Sequence, residues 1–72
     1  MPKLPVVSGR ELIKILNKLG YREVRQRGIH IRLSCFGKKS ITVPNYKIID
    51  ASLLKKILRD TELTVEDFIK LF

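Results

Sequence analysis

The stretch Ile29-His30-Ile31-Arg32-Leu33-Ser34-Cys35-Phe36 decides the fold, because apolar and mostly polar residues alternate along it without a break. A two-residue period puts successive side chains on opposite faces of a β-strand. The stretch therefore predicts a strand with one open face, which carries His30 and Arg32, and one buried face. The predicted buried face consists of Ile29, Ile31, Leu33 and Cys35.

A strand is also predicted upstream, over residues 21–27, and it ends at a break at Gly28. Tyr21 and Val24 are three residues apart and would face opposite sides of a regular strand. This spacing indicates a β-bulge or an irregular start.

Downstream, residues 36–40 have the composition of a hairpin connection. Ile41-Thr42-Val43 then predicts a short third strand that ends at Pro44, since proline cannot donate to a ladder. The three strands together predict an antiparallel meander.

Two amphipathic helices flank the predicted strands. Ser8 and Glu11 have the spacing of a capping box, and the helix that begins there ends at Gly20. Asp50 is placed to cap the second helix, and a cap at Thr64 predicts a short last one. The apolar stripes of the two main helices are Leu12, Ile15, Leu16 and Leu19 in the first and Leu53, Leu54, Ile57 and Leu58 in the second.

These elements predict one α+β domain over residues 1–72, in the order α-β-β-β-α with a short extra C-terminal helix. Each main helix and the sheet has one apolar face, so the simplest packing puts the helices on one side of a three-stranded antiparallel sheet. Ile48 and Ile49 are expected to pack onto the sheet. The polar face of the second strand stays on the open side, and His30 with it.

The charge of the chain favours an anionic partner. Fifteen Lys and Arg against seven Asp and Glu give a formal net charge of +8 in 72 residues, which attracts RNA, DNA or an acidic protein segment. A hydrophobic fraction of 44% speaks against disorder. No apolar run reaches the roughly 18 residues of a membrane span, and no secretory signal is evident. We therefore expect a cytoplasmic protein without membrane contact.

Cys35 is the only cysteine, so an internal disulfide is excluded. One cysteine and one histidine do not make a zinc ligand set. The sequence therefore predicts no metal and no cofactor, and the alternation around Cys35 predicts a buried thiol.

His30 is the only histidine, and it follows a run rich in arginine, Arg25-Gln26-Arg27-Gly28-Ile29. Histidine has an ordinary pKa of about 6.5, which suits it to proton transfer near neutrality. RNA carries its own nucleophile, the 2′-hydroxyl, so one general base and a few cations suffice to cleave it, whereas DNA hydrolysis normally needs metal-binding carboxylates that do not cluster here. The candidate phosphate ligands in the hairpins are Arg25, Arg27, Arg32, Lys38 and Lys39.

Other interpretations of these residues stay open. A lone histidine on a strand can also stack on a base, accept a hydrogen bond or have no role. Scattered basic residues can simply keep a small protein in solution.

The sequence also resembles the HicA (YcfA-like) toxins of bacterial and archaeal toxin–antitoxin pairs, over nearly the whole chain. The resemblance lies in Gly9-Arg10-Glu11-Leu12-Ile13-Lys14-Ile15-Leu16, Gly20-Tyr21, Arg25-Gln26-Arg27-Gly28-Ile29-His30, Thr42-Val43-Pro44, Leu53-Leu54-Lys55-Lys56-Ile57-Leu58 and Leu63-Thr64-Val65-Glu66-Asp67-Phe68.

The resemblance implies a fold like a double-stranded-RNA-binding domain and metal-free, ribosome-independent cleavage of mRNA, held in check by a HicB antitoxin. His30 falls on the catalytic histidine of the family and Gly28 on the glycine two residues before it, so Gly28 joins the predicted RNA-binding set. Two positions depart from the family pattern. Ile29 stands where the family has a serine, which is explicable if Ile29 is a core residue, and Tyr46 stands near a second histidine that many members carry.

Two functions of other classes remain as alternatives. One is a non-catalytic RNA-binding module, such as a toxin that Ile29 has inactivated. The other is a protein-interaction module whose positive surface binds an acidic partner.

Overall fold

Three helices and three strands make up the fold, and the computed structural model describes residues 3–72 of the chain. The elements are α1 (Gly9–Lys18), β1 (Arg22–Arg27), β2 (His30–Ser34), β3 (Ile41–Pro44), α2 (Ala51–Asp60) and α3 (Val65–Leu71). This order confirms the predicted α+β class, with the short extra helix after α2. The first two residues of the predicted 1–72 domain lie outside the described residues.

The sheet is antiparallel with the order β1-β2-β3, so β2 is central and the other two strands are edges. The pairing of β1 with β2 shifts between Glu23 and Arg25, which confirms the predicted irregularity as a β-bulge.

The core lies on one face of the sheet, where both main helices and α3 contribute to it. Apolar side chains of β2 and β3 are almost fully buried there, and β1 contributes none, since all six of its residues are exposed. Besides Pro44 at the end of β3, which is also buried, the buried side chains of the five other elements are Leu12, Ile13, Ile15, Leu16, Ile31, Leu33, Ile41, Val43, Leu54, Ile57, Leu58 and Phe68.

The helices begin where the sequence predicts. The Ser8 hydroxyl accepts from the Glu11 amide at 3.1 Å and the Glu11 carboxylate accepts from the Ser8 amide at 2.9 Å, which completes the capping box of α1. Asp50 accepts from the Leu53 amide at 2.8 Å, and Thr64 likewise caps α3. Each cap satisfies an amide that the helix itself leaves unpaired.

Two predictions of burial for isoleucines are wrong. Ile29 is 45% exposed and precedes β2, because Arg27 pairs directly with His30 and the two residues between them form the turn. Ile48 is 64% exposed, while Ile49 is 3% exposed and its amide donates to the Val7 carbonyl at 2.8 Å. Only one of two successive isoleucines is turned towards the core.

Cys35 is half-buried rather than fully buried. Its Sγ atom lies 4.0 Å from the Leu19 carbonyl oxygen, at the end of α1. The thiol therefore packs at the rim of the core.

Candidate functional site

The open face of the sheet carries a depression of about 380 Å³ lined by cationic side chains. Its lining residues are Arg25, Arg27, His30, Arg32 and Thr42. Four of the five were singled out from the sequence. His30 and the three arginines are all exposed to solvent.

Strand register explains why these side chains meet. Arg32 lies opposite Arg25 of β1 on one side and Thr42 of β3 on the other. Two residues along β2, His30 lies opposite Arg27. Directly paired residues and residues two apart share a face of a sheet, so the five side chains form two adjacent rows.

The bulge in β1 selects which residues of that strand join the site. Arg22 and Glu23 pair with Ser34 and Leu33, but Arg25 pairs with Arg32, which leaves Val24 as the extra residue. If the first register continued, Val24 and Gln26 would lie opposite Arg32 and His30. A shift of one residue exchanges the faces of a strand, so the bulge is what turns Arg25 and Arg27 towards the histidine.

The tight turn before His30 depends on glycine. Gly28 has a φ of 55° and Ile29 a negative φ, the sign pattern of a type II′ hairpin turn. A Cβ at position 28 would meet nothing within 4 Å, so the backbone conformation, not space, requires glycine there. The Ile29 carbonyl accepts from the Asn45 amide at 2.7 Å, which ties this turn to the segment after β3.

In the described part of the chain, the three arginines of the depression have no acidic partner. Within residues 3–72 the ion pairs are Arg10 with Glu23 at 3.5 Å and Lys39 with Asp60 at 3.6 Å. One nitrogen of Arg32, Nη1, donates to the Thr42 hydroxyl at 3.2 Å, which orients the guanidinium group along the sheet. The remaining guanidinium donors are available to an anion.

Lys38 and Lys39, also predicted to bind RNA, lie elsewhere. Lys38 Nζ donates to the Thr61 carbonyl at 3.2 Å, and Lys39 pairs with Asp60, so both lysines are tied to the C-terminal end of α2. They do not line the depression.

Thr42 is the one lining residue that sequence reasoning missed as part of the site. It stands out only once the pairing of β3 with β2 is known, because its place opposite Arg32 is what brings it to the depression.

Other kinds of site are not evident in the part of the chain that the structure describes. It contains no group of three His, Cys, Asp or Glu side chains that could hold a metal ion. No helix among these residues is long and apolar enough to cross a membrane.

The fold and the depression define a small basic α+β protein with an open face suited to anions. Residues 9–63 match the family described as HicA toxin of bacterial toxin-antitoxin, so the chain belongs to that family. No curated protein and no solved structure matches the chain significantly. Membership makes the chain a toxin of a toxin–antitoxin pair, and the partner that this class implies is an antitoxin.

Proposed function

We propose that the chain is a metal-independent endoribonuclease of the cytoplasm that cleaves mRNA, with His30 as its general acid and base. The proposal depends on one observation: the only histidine and three guanidinium groups, which have no carboxylate partner in residues 3–72, line one open depression. This combination supplies both a proton acceptor and a phosphate-binding surface.

The proposed reaction uses the 2′-hydroxyl of RNA as nucleophile. The imidazole of His30 takes the proton of that hydroxyl while the 2′-oxygen forms a bond to phosphorus. The bond from phosphorus to the 5′-oxygen then breaks, and the imidazolium returns its proton to the leaving oxygen. The products are a 2′,3′-cyclic phosphate and a 5′-hydroxyl, and the histidine is regenerated.

The arginines have a separate role in this proposal. The phosphorane carries one more negative charge than the phosphodiester, and guanidinium groups already positioned around it stabilise that charge. The donors that Arg32 does not use on Thr42, together with those of Arg25 and Arg27, are the candidates.

The direct test is cleavage of mRNA in EDTA by the wild type and by His30→Ala. General acid–base catalysis typically contributes about 10²–10⁴-fold, and we expect a loss of that order. Arg27→Ala should lower the rate, while Arg22→Ala is the matched control, since Arg22 is an exposed arginine of the same strand outside the depression. Equal activity of wild type and His30→Ala would refute the proposed role of the histidine.

The binding-only alternative has its own signature. A non-catalytic RNA-binding module would bind RNA with a strong salt dependence and give no products with any variant. Ile29→Ser then tests whether the missing family hydroxyl is responsible. Ile29 is in an exposed turn, so the change should alter stability by no more than about 0.5 kcal/mol, and we expect it to raise the cleavage rate.

We further propose a HicB-type antitoxin that neutralises the toxin by covering His30 and pairing its own carboxylates with the arginines. The absence of any carboxylate within 4 Å of Arg25, Arg27 or Arg32 in residues 3–72 supports such pairing. Binding of this partner should compete with RNA and weaken at high salt. A complex in which His30 stays open to solvent would contradict this mode of inhibition, and affinity for protein alone would favour the protein-interaction module.

A further inference from the structure

A second depression, of about 220 Å³, lies beside the first, between edge strand β3 and helix α2. Arg32 and Thr42 line both depressions, so the two adjoin each other at the sheet edge. The other lining residues of the second depression are Ser40, Ile41, Leu53, Lys56, Ile57 and Asp60.

The lining of the second depression combines a cation, hydroxyls and apolar surface. Lys56 is exposed on α2, while Ser40 and Thr42, whose hydroxyl accepts from Arg32, line the strand side. A lysine ammonium binds phosphate as a point charge, and serine and threonine hydroxyls can donate to or accept from the 2′-hydroxyl of a ribose.

Asp60 is the one acidic side chain of this depression, and its charge is offset. Its carboxylate lies 3.6 Å from Lys39 Nζ, so the pair is neutral as a unit. The net charge contributed by Arg32 and Lys56 therefore remains positive.

We propose that the second depression is a nucleotide subsite that holds the RNA segment next to the cleaved bond. Lys56 binds a neighbouring phosphate, and Ser40 contacts a ribose hydroxyl. The inference rests on the proposed function, since it takes the first depression as the place of cleavage. The subsite adds α2 to the RNA-binding surface. The bound RNA then extends from the open face of the sheet across the edge of β3.

A peptide is the competing occupant, because an edge strand presents unpaired backbone groups to which another strand can add. The two residues that this depression shares with the cationic one, together with Lys56 and Ser40, favour RNA over a peptide. A change at Lys56 distinguishes the RNA occupant from the peptide, since Lys56 is a phosphate ligand only if RNA binds.

The test measures binding of a fluorescein-labelled uridine octamer to the His30→Ala protein by anisotropy at several salt concentrations. Each phosphate contact on single strands contributes about 0.7 to the slope of log K against log salt concentration. We expect Lys56→Gln to weaken binding and to reduce the slope by that amount. Lys55→Gln is the matched control, because Lys55 is the exposed neighbour on α2 that does not line the depression, and it should leave the slope unchanged.

Ser40→Ala gives a second readout, since removing the hydroxyl should reduce the preference for the uridine octamer over the matching deoxyuridine octamer. Equal slopes for the Lys56 and Lys55 variants would overturn the subsite. A Lys56 variant that loses affinity for an antitoxin but not for the octamer would overturn it as well. A wild type that fails to cleave in EDTA would refute the nuclease, and a reduced slope for Lys56→Gln would then still support Lys56 as a phosphate ligand of an RNA-binding surface that includes α2.

Discussion

Replacing Gly9 by alanine is expected to destabilise the protein, although alanine is the better helix former. Gly9 is the first residue of α1 and is buried against the end of β3. An added Cβ would overlap the Pro44 carbonyl oxygen and lie 3.0 Å from the Asn45 Cα atom. Both neighbours are backbone, so they cannot yield by rotating a side chain.

The expected magnitude follows from three contributions. Overpacking of this kind typically costs about 1–3 kcal/mol. The hydrogen bond from the Gly9 amide to the Tyr46 carbonyl, 2.8 Å long, is also disturbed, at a cost of about 1 kcal/mol. Against these, alanine gains at most about 1 kcal/mol of helix propensity. The net loss is about 2 kcal/mol, which lowers the melting temperature of a domain this small by roughly 8–16 °C.

Thermal and urea unfolding followed by circular dichroism measure this loss. Ala51→Gly is the matched control, because Ala51 is the exposed first residue of α2, a helix of the same length. Helix propensity alone predicts that Gly9→Ala stabilises and Ala51→Gly destabilises by up to about 1 kcal/mol. A Gly9→Ala protein at least as stable as the wild type would refute the packing argument.

Three further predictions concern stability. Phe68→Ala removes a fully buried ring and should cost about 3–5 kcal/mol, whereas Phe72→Ala removes a half-exposed one and should cost only about 1 kcal/mol, as measured by urea unfolding. Ser8→Ala breaks the capping box and should cost about 1 kcal/mol in the same assay. Burial raises the pKa of Tyr21, whose hydroxyl donates to the Lys39 carbonyl, above 10.0. The unfolded phenol then ionises first, so stability should fall as the pH rises from about 10 through the folded pKa, and Tyr21→Phe should flatten that decline in unfolding scans.

Most of the fold was predictable because its signals are local. A helix cap and an apolar stripe at helical spacing can each be recognised from neighbouring residues alone. The caps at Ser8, Asp50 and Thr64 are all observed. Ile29 was not predictable in this way. The alternation runs through it into β2, and only the pairing of Arg27 with His30 assigns it to the turn.

The membership of the site was predictable only in part. The sequence shows which residues are basic, but the register decides which of them share a face. Lys38 and Lys39 are cationic like the arginines, yet they follow β2 in the connection to β3 and are held at the end of α2. The effect of a Gly9 substitution on stability was equally unpredictable, because the sequence of α1 does not show which backbone segment Gly9 packs against.

The position of β1 in the sheet links its stability to binding. β1 buries no side chain and is paired only with β2, yet it supplies two of the three arginines of the depression. Those arginines and Arg32 carry like charges and repel one another. No carboxylate in residues 3–72 lies within 4 Å of them to offset this repulsion. An anion that binds the depression removes this repulsion and favours the folded arrangement of β1 over any locally opened one. The proposed RNA and antitoxin ligands would therefore both stabilise β1, the strand that supplies two of the three arginines beside His30 of β2.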